Sequence, residues 1–204
     1  MQPAFDPTLV DVSSPPEFIT IVSGYPRSGT SLMMQMLAAG GMGVLCDDVH
    51  EPDEDNPRGY YEFRRATQLS GRGERTDWVA QAQGKAVKVF AFQIKFLPAE
   101  YNYRVVFMRR KIAEALASSR KMKMLREKAT LSEREQILAF KTAYVVYEAW
   151  LMKQKNMRAL FVHYNELLAN PCEHIARVRE FLAVPLDADA MAAAIDPALY
   201  HNRR

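Results

Sequence analysis

Cysteine is almost missing from this chain: Cys46 and Cys172 are the two among 204 residues. They are too few and too far apart for a disulfide framework or a zinc knuckle. Long apolar runs are missing as well, since no window approaches 18 consecutive apolar residues, which excludes a membrane-spanning helix. The first 17 residues hold four prolines but no cationic stretch followed by an apolar run, so they do not read as a signal peptide. Charge of one sign is weak too: a net charge of +3 gives a general nucleic-acid-binding role no support. With 49% hydrophobic and 25% charged residues, composition is ordinary for a globular protein. These absences leave a soluble, cytoplasmic protein as the expectation. Residues 1–17 read as a Pro-rich leader and 18–204 as one domain.

What is present alternates between two periods. Phe18 to Ser23 is a short β-branched run, read as a buried strand. Ser31 to Ala39 holds helix formers and stops at Gly40-Gly41. Gly43 to Cys46 is a candidate second strand, and residues 47–59 an acidic, Pro-containing loop. Ala86 to Phe90, Tyr103 to Met108 and Ala159 to His163 are further strands. Residues 111–126, 132–154 and 171–183 read as helices, with a last short one at Ala188 to Ile195. In 132–154 the residues Ile137, Phe140, Tyr144, Tyr147 and Leu151 recur at steps of three and four, giving one apolar face. Strands alternating with helices predict an α/β fold, a central mostly parallel sheet flanked by helices in three layers. Ligands of such folds sit beyond the carboxyl ends of the strands.

The first of those ends carries Gly24-Tyr-Pro-Arg-Ser-Gly-Thr-Ser31. The spacing matches the P-loop pattern, except that Thr30 stands where the lysine belongs. Glycines let a backbone wrap an anion, and a helix N-terminus offers free N–H groups and a favourable dipole. An NTPase needs the lysine, and a strand-end Asp for Mg²⁺. Here the later strands end in Arg109-Arg110 and His163-Tyr164, without a carboxylate. The cation sits inside the loop as Arg27. This pattern reads as a phosphate cradle for metal-free group transfer.

The loop resembles the 5′-phosphosulfate loop of sulfotransferases, enzymes that use 3′-phosphoadenosine 5′-phosphosulfate (PAPS). The resemblance implies a P-loop-like fold. It implies that Arg27 meets the sulfuryl group and the leaving oxygen, and that Ser28, Gly29, Thr30 and Ser31 bind the 5′-phosphate. A second family motif holds the 3′-phosphate with a strand-end Arg and a Ser eight residues on. Arg110 and Ser118 have that spacing; Arg109 and Ser119, the adjacent Arg and Ser, are the alternative pair, ten residues apart. Glu114 falls where the family often has an acid, whereas Ile112 stands where it often has proline. A third stretch, Val162 to Pro171 followed by Phe181-Leu182, is similar to a segment whose role in the family is structural.

Transfer to an alcohol or amine needs a base for the acceptor proton. Candidates are Asp47, Asp48, His50, Glu51 and Glu62. Glu62 is favoured because Asn56-Pro-Arg-Gly-Tyr-Tyr-Glu62 resembles a stretch of some bacterial sulfotransferases, with Tyr60 and Tyr61 as possible acceptor-pocket walls. The bland alternative is Glu62 paired with Arg64 or Arg65. The basic tail Tyr200 to Arg204 is a candidate cover for the 3′-phosphate. The expected function is therefore PAPS-dependent sulfuryl transfer to a small molecule, glycan or lipid. A P-loop small-molecule kinase and a non-catalytic nucleotide-binding protein are the alternatives.

Overall fold

The computed structural model describes residues 17–47, 56, 58–73, 75–121 and 132–196. The Pro-rich leader up to residue 16 and the basic tail lie outside those residues, as do Asp48, His50 and Glu51. In chain order the elements are β1 (Ile19–Gly24), α1 (Thr30–Ala39), β2 (Val44–Leu45), α2 (Arg64–Thr67), β3 (Ala86–Lys88), β4 (Tyr103–Arg109), α3 (Ile112–Lys121), α4 (Glu133–Leu151), β5 (Met157–His163), α5 (Tyr164–Ala169), α6 (Pro171–Leu182) and α7 (Ala188–Ala193). A 3-10 turn at Asp77–Ala82 precedes β3.

The five strands form one parallel sheet in the order β2-β3-β1-β4-β5. All six residues of β1 are buried, as a central strand covered on both faces requires. Alternate residues serve opposite faces. Ile19 and Ile21 of β1 and Tyr103, Val105 and Phe107 of β4 pack with Trp78, Tyr144 and Leu151. Val22, Val106 and Met108 pack with the methionines of α1 and with Ile175, Val178 and Met191 of α6 and α7. Helices on both faces give the three-layer α/β architecture read from the sequence. No helix among the described residues is long and apolar enough to cross a membrane.

Some boundaries move. The strand expected over 86–90 ends at Lys88, where the chain leaves β2 behind but keeps bonding to β1: Val89 and Ala91 donate to the carbonyls of Val22 and Gly24. The long helix starts at Glu133 because Ser132 caps it. The Ser132 hydroxyl accepts from the Glu135 N–H, and the Glu135 carboxylate accepts from the Ser132 N–H at 2.7 Å, a reciprocal capping box. A short helix, α5, also intervenes between β5 and α6, where the sequence reading placed no element.

Register makes the core testable. Phe107 is fully buried beneath α4 and pairs with Phe161 and Tyr144 at ring-centroid distances of 5.7 and 6.4 Å. Phe107→Ala is expected to cost about 3–5 kcal/mol, seen as a lower urea midpoint with an unchanged slope.

Candidate functional site

Because β1, β3 and β4 run parallel, their carboxyl ends open on the same edge. β1 ends at Gly24 beside Met108 of β4, and β3 ends at Lys88 beside Val22. The loop 24–29 must turn there and feed α1. Gly24 has φ +154°, and a Cβ on it would lie 2.4 Å from Ser28 Oγ and 2.7 Å from the Met108 carbonyl oxygen. Gly29 has φ +98°, and its Cβ would strike the Tyr164 ring at 2.4 Å. Both glycines are therefore fixed by backbone conformation and by close neighbours.

Between them Arg27 adopts φ +68°, an uncommon conformation for a residue with a side chain. Two contacts hold it. Arg110 Nη1 donates to the Arg27 carbonyl oxygen at 3.2 Å, and Arg27 Nε donates to Ser118 Oγ at 2.7 Å. The two sequence motifs, some 80 residues apart, are thus joined.

Arg110 also pairs with Glu114 (3.2 Å), lies 4.6 Å over the Tyr164 ring, and is 8% exposed. Glu114, itself buried, accepts from Asn165 at 3.0 and 3.1 Å. Arg109 points the other way. Its guanidinium pairs with Glu148 of α4 and lies 4.3 Å from the Phe161 centroid. Alternation along β4 thus separates the two arginines, with Arg110 on the side of the phosphate loop. Of the two candidate serines, Ser118 is buried against Arg27; the side chain of Ser119 lies outside the described residues.

The N-terminus of α1 has no side-chain cap and no acid in its first turn, which leaves its first N–H groups directed at the loop interior. Ser28 is fully buried, and its hydroxyl meets no partner among the described residues. Ser31 Oγ donates to the Tyr60 carbonyl at 3.3 Å and receives Lys88 Nζ at 3.3 Å. Tyr25 anchors the loop from behind, its ring tilted against Tyr144 and Phe140 of α4 at centroid distances of 4.4 and 5.6 Å.

Lys88 is the residue that the sequence reading missed. Its ammonium donates to Glu62 Oε1 at 3.1 Å and to the Tyr60 carbonyl at 3.0 Å, and the side chains of the pair are 4% and 9% exposed. Burial pulls the Lys88 ammonium below the ordinary lysine range, against the opposing pull of Glu62. Phe90 and Tyr60 lie 5.4 and 5.8 Å from its nitrogen, and Phe92 stacks on Phe90 at 5.8 Å. One signal was available: a lone charge inside the apolar run Ala86 to Phe90.

Glu62 therefore pairs with neither Arg64 nor Arg65. Arg65 bridges to Asp77, and the Arg64 N–H is taken by the Asp47 carboxylate at 3.0 and 3.1 Å, which ties Asp47 to α2. Tyr61 turns aside to the α1–α7 groove with Gln35 and Arg58.

A family profile described as the sulfotransferase domain matches residues 19–203. No curated protein gives a significant sequence match. Among solved structures, the chain is similar to the sulfotransferase domain of the Synechococcus PCC 7002 olefin synthase, at 15% identity and TM-score 0.55, covering 91% of this chain and 80% of that one. It is also similar to a sulfotransferase from Mycobacterium tuberculosis H37Rv, at 19% identity and TM-score 0.52, covering 95% and 75%. A third is the sulfotransferase domain from the curacin biosynthetic pathway, at 15% identity and TM-score 0.50, covering 94% and 80%. At such identities the structural likeness speaks to the fold.

The buried pair has a measurable consequence. Lys88→Met takes the ammonium away from the buried Glu62 carboxylate and is expected to cost about 3–5 kcal/mol in urea unfolding. Adding Glu62→Leu is expected to recover most of that loss.

Proposed function

The chain belongs to the sulfotransferase domain family, and on that premise we propose that it transfers a sulfuryl group from PAPS to a hydroxyl or amine acceptor, without a metal ion. The observation that carries this reading is the meeting of Arg27, Arg110 and Ser118 at the N-terminus of α1. Two guanidinium groups, a serine and an uncapped helix end suit a ligand with two separate phosphate groups. The buried, unpartnered Ser28 hydroxyl fits the same cradle.

In this reading Ser28, Gly29, Thr30 and Ser31 bind the 5′-phosphate, and Arg110 and Ser118 bind the 3′-phosphate. When bound, PAPS supplies an activated sulfuryl group. Transfer forms one bond from the acceptor oxygen or nitrogen to sulfur and breaks the bond from sulfur to the phosphate oxygen. Arg27 and Lys88 place positive charge where the leaving oxygen gains negative charge. Glu62, which touches Lys88, takes the acceptor proton. Tyr60 and the Phe90–Phe92 pair form an apolar wall beside that carboxylate, on which the acceptor rests.

Isothermal titration calorimetry with 3′-phosphoadenosine 5′-phosphate tests the cradle. Binding is expected to be independent of Mg²⁺ and to fall sharply for adenosine 5′-phosphate, which lacks the 3′-phosphate. Tighter binding of ATP with Mg²⁺ would overturn the proposal. Arg110→Ala is expected to weaken binding by roughly 10- to 100-fold, the loss of a charge-assisted hydrogen bond. In sulfuryl-transfer assays over an acceptor panel, Arg27→Ala should lower kcat by about 10²–10³-fold. Glu62→Gln should lower kcat by roughly 10²–10⁴-fold while nucleotide affinity holds. A wild-type rate for Glu62→Gln removes Glu62 as the base.

A further inference from the structure

After its first two residues α1 runs Leu-Met-Met-Gln-Met-Leu-Ala-Ala, so one polar side chain, Gln35, stands among methionines. Met33, Met34, Met36 and Leu37 are fully buried, and Gln35 is buried with them. A carboxamide in that place costs free energy unless it is hydrogen-bonded, and a methionine or leucine would suit the helix as well. Gln35 Nε2 donates to Asn56 Oδ1 at 3.5 Å, reaching the stretch that ends in Glu62. Asn56 is buried too. Its Nδ2 donates to the Gly59 carbonyl at 2.7 Å, and the Gly59 N–H donates to the Asn56 carbonyl at 3.0 Å. Side chain and main chain of one asparagine therefore tie Asn56 to Gly59, which turns at φ +84°.

Ser31 lies one helical turn before Gln35, so the two face the same side of α1. Ser31 Oγ meets the Tyr60 carbonyl while Gln35 meets Asn56. The helix thus grips this stretch at two points, and Lys88 grips it at the Tyr60 carbonyl and at Glu62. Between those points Tyr61 takes φ +53°, a conformation that a residue with a Cβ resists. The Tyr61 ring goes to the α1–α7 groove beside Ala38 and Ala39, and the Glu62 carboxylate goes to the Lys88 ammonium. Arg58 fastens the stretch on a third side, donating to the Ala194 carbonyl at 2.7 Å and pairing with Asp196 at 3.4 Å. Both of those side chains are partly open to water, where an ion pair contributes little. The buried amide pair is the stiffer anchor.

We propose that Asn56, held by Gln35, is a positioning residue for sulfuryl transfer: it fixes the chain path that sets the Glu62 carboxylate beside Lys88. The inference rests on Glu62 as the base for the acceptor proton. Asn56 acts through the backbone from Gly59 to Glu62 and does not itself meet the acceptor. A base displaced by about 1 Å loses the alignment that transfer needs, which is worth up to about 10²-fold in rate. Nucleotide contacts are assigned to residues 27–31, Arg110 and Ser118, so the pair bears on turnover and not on nucleotide affinity.

The test pairs turnover with a signal that needs none, both on the full chain. In PAPS-dependent transfer assays Asn56→Ala should lower kcat by roughly 10- to 100-fold, while calorimetry with 3′-phosphoadenosine 5′-phosphate gives an unchanged Kd. Gln35→Met, which suits a helix already rich in methionine, should lower kcat as well and stands in for Asn56→Ala should that variant not fold. In a Glu62→Gln background either change should lower kcat by less than about twofold, because both act on one function. An equal loss in both backgrounds overturns the proposal, since a purely structural asparagine would act on either. NMR of protein labelled with ¹³C at the lysine ε-carbons reads the buried pair directly: the Lys88 signal, assigned by its absence from Lys88→Met, should move in Asn56→Ala and in Gln35→Met. A Lys88 signal that stays put in both overturns the proposal, whether or not the chain transfers a sulfuryl group. A moved signal together with a wild-type rate for Glu62→Gln upholds the placement of Glu62 and removes only its role as the base.

Discussion

Arg27 sits in a left-handed backbone conformation that a residue with a Cβ resists, and the structure around it is arranged to hold it there. Its carbonyl receives Arg110 from the end of β4, and its guanidinium donates to Ser118 from α3. Remove either contact and the loop loses the reason for its shape. The flanking glycines make the turn possible, one against Ser28 and Met108 and the other against the Tyr164 ring. Tyr164 in turn lies under Arg110. Loop, strand end and following helix are therefore one interlocked unit rather than three neighbouring pieces.

Concentrating cations in one place has a cost, and buried carboxylates offset it. Glu114 faces Arg110 and is itself held by Asn165. Glu62 faces Lys88; on the far side of the sheet the half-buried Glu148 takes Arg109. Each cation near the loop edge thus has a carboxylate behind it, apart from Arg27, whose described contact is a hydroxyl. A pair buried this deeply is weak evidence for stability, since desolvation consumes most of its attraction. Its value lies in fixed geometry: Lys88 is aimed at Ser31 and the Tyr60 carbonyl and cannot swing into solvent.

The missing P-loop lysine takes on a different meaning in this light. Thr30 leaves the loop without the usual ammonium, yet one arrives from the adjacent strand, with Lys88 Nζ 3.3 Å from Ser31 Oγ. The parallel register of β3 on β1 delivers it. α4 braces the same edge from behind, its aromatic side anchoring Tyr25.

Local chemistry made much of this legible in the sequence. The glycine spacing of the loop, the β-branched runs and the periodicity of α4 depend on residues close in the chain, so they could be read without a structure. The α/β layering and the loop with its Arg27 followed from them. Strand β3 was placed but its one charge was passed over, because a lysine in an apolar run acquires a role only when its neighbours are known. The choice between Arg109 and Arg110 was equally closed to the sequence. Both stand side by side at the strand end, and the pleat of β4 beneath α4 sends one to Glu148 and the other to the loop. Glu62 was singled out, but its buried partner Lys88 stands on β3, 26 residues along the chain. Sequence settles what local sterics and periodicity determine; which side chains face one another across the strand ends is decided by register and packing, and these exist only in the folded chain.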